Sequence, residues 1–173
     1  VLVVTAVVGM ATAVAAAGGS TLVGDTIDST EIHFIPGVRH SSSFDESNHC
    51  NQTILRGDTG TAGSICLLLQ TALPCALFGD ASFTFVIKGG TNASMAPQYD
   101  YWERVFLPTL FERCRVDQGT TTTLVQSKVI RRGFYPRGGG EVEVKVEPLK
   151  QPLEPIQLTD RGDVVRIDIR AFH

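Results

Sequence analysis

Alternating apolar and polar residues predict several short strands. Phe83 to Ile87 is a run of strand-forming residues. Glu141 to Val146 alternates charged residues with valine, the period of a half-buried strand. Thr122 to Ile130 is a third strand, and the glycine-rich stretch Gly133 to Gly140 after it predicts a hairpin. Val164 to Ile169 alternates again and predicts one more strand.

Two segments have the apolar pattern of helices. Thr59 to Ser64 is a loop of small residues, and it leads into the apolar run Ile65 to Leu73, which predicts a helix buried on most sides. Pro97 is expected to open the second helix, because proline in the first turn costs no hydrogen bond. Pro108 is expected to kink that helix. Its apolar residues form one stripe: Tyr101, Val105, Phe106, Leu110 and Phe111.

The first third of the chain predicts a shorter version of the same arrangement. Val1 to Ala17 suits a buried helix stopped by glycine, and Thr21 to Gly24 and Glu31 to Ile35 are predicted strands. Val38 to Asp58 is polar and is expected to be an exposed loop.

Together these elements predict an α/β (α+β) fold in which a helix-plus-hairpin ending occurs twice. We therefore divide the chain into four parts. Residues 1–37 are the end of a first, truncated unit, and 38–58 are the polar loop. Residues 59–148 are the second unit, and 149–173 hold the final strand.

Composition favours one globular domain and gives little general affinity for nucleic acid. The chain has 173 residues, of which 43% are hydrophobic and 19% are charged, with a formal net charge of -3. Any contact with nucleic acid must therefore come from a local patch. The densest positive cluster is Lys128, Arg131, Arg132 and Arg137. Arginine matches phosphate well, so this cluster is either a site for RNA or ATP phosphates or a solvated hairpin end.

The four cysteines predict reduced thiols in an intracellular protein. Cys50, Cys66, Cys75 and Cys114 contain no CxxC pair. Cys66 and Cys75 are expected on different faces of the first helix, where they cannot pair. The opening apolar run is interrupted by polar and glycine residues, so no membrane association is expected.

An extracellular binding domain is an alternative. Asn51 and Asn92 begin glycosylation sequons, and Arg-Gly-Asp occurs at 56–58 and 161–163, but motifs this short recur by chance. His40, His49 and Cys50 match no zinc spacing, so no metal site is assigned.

Three stretches resemble the RNA 3′-terminal phosphate cyclases. They are Asp58 to Ser64, Gly89 to Asn92 with Ala96-Pro97 following, and Arg132 to Val142. The resemblance runs in order from about Ala11 to Phe172. It implies repeated βαβαββ units with helices packed on one face of each sheet, and a small inserted domain after the final strand.

The resemblance also implies an activity. A histidine of these enzymes attacks the α-phosphate of ATP, the adenylate passes to an RNA 3′-phosphate, and the 2′-hydroxyl closes a 2′,3′-cyclic phosphate. It implies ATP and a divalent metal (Mg or Mn), RNA 3′-phosphate ends as partners without an obligate protein partner, and a nuclear location. Gln70 and Pro97 match ATP contacts, and we expect them to converge at one edge of the sheet. The alternative interpretation is structural: Gln70 is then a helix residue that is hydrogen-bonded to nearby backbone, and Pro97 is only the first residue of a helix.

Some features depart from the family pattern. None of His33, His40, His49 and His173 matches the nucleophile, so no catalytic residue is assigned and this chain alone is expected to be inactive. It is expected to cover about half of a full-length cyclase. A related ribosome-biogenesis protein of the same fold, which has no cyclase activity, is the second functional hypothesis.

Overall fold

The computed structural model describes residues 21–24, 31, 33–35, 53–79, 81–113, 124–156, 159–160, 162–169 and 171. Within these residues the chain forms six strands and two helical segments. The strands are β1 (Thr21–Val23), β2 (His33–Ile35), β3 (Thr53–Asp58), β4 (Phe83–Gly89), β5 (Val125–Arg131) and β6 (Gly140–Val146). The first helical segment is α1 (Ile65–Leu77); the second comprises α2 (Tyr99–Tyr101), a π-helical turn (Trp102–Phe106) and α3 (Leu107–Arg113).

Four strands form one sheet in the order β3-β4-β6-β5. β3 and β4 are parallel and are connected through α1, whereas β6 is antiparallel to both of its neighbours. With the second helical segment between β4 and β5, residues 53–146 form one complete βαβαββ unit. This confirms the predicted fold class. β1 and β2 form a separate antiparallel pair.

The core lies on one face of the four-stranded sheet. The register places Phe83, Phe85 and Ile87 of β4 directly opposite Val146, Val144 and Val142 of β6, so their side chains share a face. These side chains are fully buried and belong to the same cluster as the apolar residues of α1. Helices therefore cover this face, as the resemblance implies.

Helix α1 begins at a side-chain cap. The Ser64 hydroxyl accepts a hydrogen bond from the Leu67 N–H at 3.4 Å. Cys66 is buried and Cys75 is exposed, and both are free thiols, which confirms the predicted placement on two faces. Burial, with a smaller contribution from the charge of Asp100, raises the pKa of Cys66 to about 12.

The second helical segment begins at Tyr99, so its predicted start at Pro97 is wrong. Gln98 has extended backbone angles (φ −75°, ψ 151°), and the Tyr99 N–H donates to the Thr91 carbonyl at 2.9 Å. The π-helical turn lies directly before the turn that contains Pro108. Proline lacks the N–H that an α-helical hydrogen bond requires, and both proline and π-helical turns are recognised causes of helix kinks.

Two predictions about strands are wrong. Residues 53–58, assigned to the polar loop, form β3, which pairs with β4 along its whole length. Residues 164–169, predicted as a strand, form no ladder, and Val165 is 94% exposed. Alternation alone does not make a strand, because a strand also requires a partner that satisfies its backbone.

The predicted helix at 1–17 and residues 38–52 of the predicted loop at 38–58 lie outside the described residues. None of the described helices is long and apolar enough to cross a membrane.

Candidate functional site

The three sequence stretches that carry the family resemblance meet at one end of the four-stranded sheet. Gly90 N–H donates to the Gly63 carbonyl at 2.7 Å, and Ile65 N–H donates to the Gly90 carbonyl at 3.0 Å. Thr91 N–H donates to the Gly133 carbonyl at 2.9 Å. We call residues 58–64, 89–92 and 132–140 together the glycine junction.

Glycine allows the three backbones of the junction to pack closely. A Cβ on Gly138 would collide with the Thr61 carbonyl, and one on Gly140 would lie 2.7 Å from both Gly133 N and the Gly89 carbonyl. Gly139, in contrast, has a positive φ of 70° and open space around it. Gly138 and Gly140 therefore bring protein segments together, whereas Gly139 borders open space.

Three N–H groups of the loop before α1 are bonded to protein acceptors. Its N–H groups at Thr59, Gly60 and Gly63 donate to the Lys88 carbonyl, the Asp58 carboxylate and the Thr61 hydroxyl respectively. A loop that cradles phosphate needs several N–H groups aimed at the ligand. Here protein groups already accept these hydrogen bonds.

Arg132 holds the junction to the second helical segment. Its guanidinium makes a bidentate ion pair with Asp100, with one N–O distance of 2.9 Å, and donates to Asn92 Oδ1 at 3.4 Å. The side chains of Arg132 and Asp100 are only 28% and 11% exposed. The hydrogen bonds that Arg132 donates to the Asp100 carboxylate raise the pKa of Arg132, and the guanidinium stays charged. The basic cluster was interpreted either as a site for RNA or ATP phosphates or as a solvated hairpin end. Neither interpretation describes Arg132, because its guanidinium binds a protein carboxylate.

Arg132 and Thr91 together close the loop between β4 and α2. Gly133 N–H donates to the Thr91 hydroxyl at 3.1 Å, so Thr91 is bonded to Gly133 through backbone and side chain. The same threonine accepts the Tyr99 N–H through its carbonyl. Residues 91–99 therefore form a closed loop that carries Pro97. We call the contacts of Arg132 with Asp100 and Asn92 the arginine clamp.

The clamp includes Asn92, one of the two sequon residues of the extracellular alternative. Asn92 Oδ1 lies 2.8 Å from the Thr91 hydroxyl and accepts from Arg132, and the residue is half-buried. A glycan would be attached through Nδ2 and would leave Oδ1 able to accept these hydrogen bonds, so the contacts do not argue against a glycan on Asn92. Asn51, the other sequon residue, lies outside the described part of the chain.

Both predicted ATP contacts are exposed. Gln70 lies on α1, and no hydrogen bond of its side chain is found within the described residues. The alternative for Gln70 required a hydrogen bond to nearby backbone. Pro97 lies in the closed loop before α2 and not at a helix N-terminus. Ile65 N–H donates to the Gly90 carbonyl at 3.0 Å and Tyr99 N–H donates to the Thr91 carbonyl at 2.9 Å, so the starts of the two helical segments are bonded to consecutive residues. No described contact joins Gln70 to Pro97 directly, and their convergence stays a prediction.

The other basic residues of the cluster differ from Arg132. Lys128 and Arg131 stand opposite Glu143 and Glu141 in the β5–β6 ladder, where opposite charges are favourable neighbours. Arg137 is exposed in the turn between these strands.

Metal ligands are not evident in the described parts of the chain. No group of three or more His, Cys, Asp or Glu side chains there is close enough to hold an ion. His40, His49 and Cys50 lie outside these residues. The divalent metal that the resemblance implies therefore has no matching set of ligands among the described residues.

Sequence reasoning missed Asp100 and Asn92 as partners of Arg132. They lie 32 and 40 positions away from it, and no local pattern marks them. The only available signal was that Asn92 and Arg132 belong to two of the stretches that resemble one family.

The topology and junction define an α/β domain of one βαβαββ unit, closed at one end by glycine-rich loops. The sequence model for the family described as RNA 3′-terminal phosphate cyclase matches residues 6–169. The chain therefore belongs to the RNA 3′-terminal phosphate cyclase family.

Curated relatives carry the same description. A probable RNA 3′-terminal phosphate cyclase of Dictyostelium discoideum is 42% identical over 122 residues, which are 69% of this chain and 26% of that protein. RNA 3′-terminal phosphate cyclases of Ralstonia nicotianae and Korarchaeum cryptofilum are 37% and 38% identical, over 87% and 80% of this chain. The match covers 38% and 34% of those two proteins, less than the half expected.

Proposed function

We propose that the protein to which this chain belongs is an ATP-dependent RNA 3′-terminal phosphate cyclase. It converts an RNA 3′-phosphate into a 2′,3′-cyclic phosphate through protein–AMP and RNA–adenylate intermediates. Membership of the family and the names of the relatives support this proposal. The observation that carries it is the glycine junction, because the three stretches resembling cyclases are bonded to one another there.

In this proposal Gln70 and Pro97 bind ATP. The Gln70 amide can both donate and accept, which suits a nucleotide, and it is exposed. Pro97 offers a flat apolar ring beside the base. ATP supplies the AMP group that activates the RNA phosphate. The arginine clamp positions the loop that carries Pro97 and so keeps the ring oriented toward the nucleotide.

The catalytic nucleophile is not assigned to this chain. His33 is exposed on β2, 3.6 Å from Glu31, and the other three histidines lie outside the described residues. The nuclear location belongs to the same proposal, and a fluorescent fusion of the full-length protein in cells tests it.

The direct test is cyclisation by the full-length protein. Purified protein is incubated with ATP, Mg²⁺ or Mn²⁺ and an RNA that bears a labelled 3′-phosphate. We expect the label to become resistant to phosphatase, and α-labelled ATP to leave a covalent AMP on the protein. Absence of both products with intact binding of RNA would favour the non-catalytic ribosome-biogenesis alternative.

A further inference from the structure

The turn between β5 and β6 exposes two aromatic side chains beside an arginine. Phe134 is 38% exposed and Tyr135 is 81% exposed. Arg137, two residues further on, is also exposed. Burial in the core therefore does not explain the aromatic residues of this turn.

Contacts with the rest of the glycine junction hold the backbone of this turn in place. Gly138 N–H donates to the Phe134 carbonyl at 2.7 Å, and Phe134 also forms a bridge with Asn92. Gly138 packs against the backbone of Thr61. A rigid loop presents aromatic rings at a small entropic cost on binding.

The charge on this turn favours an anionic partner. Arg132 is engaged by Asp100, and Arg131 faces Glu141 across the ladder. Arg137, in contrast, forms no ion pair with any described residue. A planar ring can stack on a base, and a guanidinium beside the ring can contact the phosphate of the same strand.

We propose that Tyr135 and Arg137 bind single-stranded RNA, with Tyr135 stacking on a base and Arg137 contacting a backbone phosphate. Phe134 supports the same platform from its partly exposed position. The proposal rests on the proposed function for its ligand, the RNA strand whose 3′ end is processed. Single-stranded RNA is favoured over duplex, because only unpaired bases offer a free face to an aromatic ring.

A second exposed tyrosine provides a matched control. Tyr101 is 52% exposed on α2, with Arg104 exposed one turn away. It adjoins the carboxylate-bearing residues Asp100 and Glu103, so its surroundings are less favourable to phosphate. If any exposed tyrosine–arginine pair bound RNA, both sites would respond equally.

The test measures binding without catalysis. A fluorescent single-stranded RNA with a 3′-phosphate is titrated with this chain in the absence of ATP, and anisotropy gives the Kd at several salt concentrations. We expect Tyr135→Ala to raise the Kd about tenfold, Tyr135→Trp to retain binding, and Tyr101→Ala to leave the Kd unchanged. Arg137→Gln should reduce the slope of log K against log salt by about 0.7, as for one phosphate contact on a single strand, whereas Arg104→Gln should not.

Several outcomes overturn the proposal. The first is that the unaltered chain does not bind RNA. The second is that Tyr135→Ala and Tyr101→Ala raise the Kd equally. The third is that Tyr135→Ala weakens binding of heparin as much as binding of RNA. Circular dichroism of each variant identifies any loss of fold, and Tyr135→Trp tests the ring without removing it. Because no ATP is present, a failure of the cyclisation assay leaves this result unaffected, and the reverse also holds.

Discussion

The two halves of the turn between β5 and β6 differ in what their side chains contact. The inner half, Arg132 and Gly133, is bonded to Asp100, Asn92 and Thr91. The outer half, Phe134 to Arg137, leaves Tyr135 and Arg137 in solvent. One continuous stretch that resembles a single family therefore contains a structural part and a part available to a ligand, and resemblance alone does not separate them.

The largest expected effect comes from glycine in the inner half. A Cβ on Gly133 would collide with Gly140 N and the Gly89 carbonyl, both rigid backbone groups. We expect Gly133→Ala to lower the free energy of unfolding by about 3 kcal/mol. Gly139→Ala has open space and only the cost of a positive φ, about 1 kcal/mol. Urea unfolding of both variants checks this, and equal losses would contradict the tight junction.

The next effect concerns the arginine clamp. Asp100→Asn removes the charge that binds Arg132, and we expect a loss of about 2 kcal/mol, as for hydrogen bonds to charged groups. The control is Asp168→Asn, since Asp168 pairs with Arg166 at 2.8 Å but both side chains are mostly exposed, 66% and 78%. That change should cost about 0.5 kcal/mol or less. Similar unfolding midpoints for the two variants would show that the clamp contributes little to stability.

A smaller effect is expected at the predicted nucleotide site. In the full-length protein, Gln70→Ala should raise the KM for ATP in adenylation by about fivefold, through the loss of about 1 kcal/mol of polar contact. The thermal midpoint without nucleotide should not change, because Gln70 is exposed. An unchanged KM with a lowered midpoint would make Gln70 a structural residue.

The two cysteines of α1 extend the comparison of inner and outer positions to chemical reactivity. At pH 8 we expect iodoacetamide to modify exposed Cys75 and to leave buried Cys66 intact, as measured by peptide mapping. Burial raises the pKa of Cys66 from 9.0 to about 12, so the folded thiol keeps a proton that the unfolded one loses. The contribution of Cys66 to stability is thus fully present below pH 9 and is lost as the pH rises toward 12. Rapid modification of Cys66 in the folded chain at pH 8 would contradict its burial.

Much of the βαβαββ unit could be predicted from periodicity. The alternation of β6 reflects its one buried face, and the apolar run of α1 reflects the burial of most of its side chains. Both elements lie where they were expected. β3 was missed because its core-facing positions include Gly57, and Ile54 and Arg56 on its other face are exposed. An edge strand with few buried side chains has little hydrophobic pattern.

The site was less predictable than the fold. The resemblance supplied Gln70 and Pro97, but the pairing of Arg132 with Asp100 depends on the packing of α2 against the hairpin. The start of α2 was misplaced for a related reason, since Tyr99 N–H bonds to Thr91 through a contact that local sequence does not encode. Long-range hydrogen bonds of this kind require the tertiary structure.

The most direct measurement compares Arg132→Gln with Arg137→Gln in this chain. Each variant is examined by urea unfolding and by the salt dependence of RNA binding. We expect Arg132→Gln to lower the unfolding midpoint, and Arg137→Gln to leave the midpoint unchanged while reducing the salt slope by about 0.7. Destabilisation by Arg137→Gln equal to that of Arg132→Gln, or a reduced salt slope in Arg132→Gln with an unchanged midpoint, would contradict the division of the turn into a structural and an RNA-binding half.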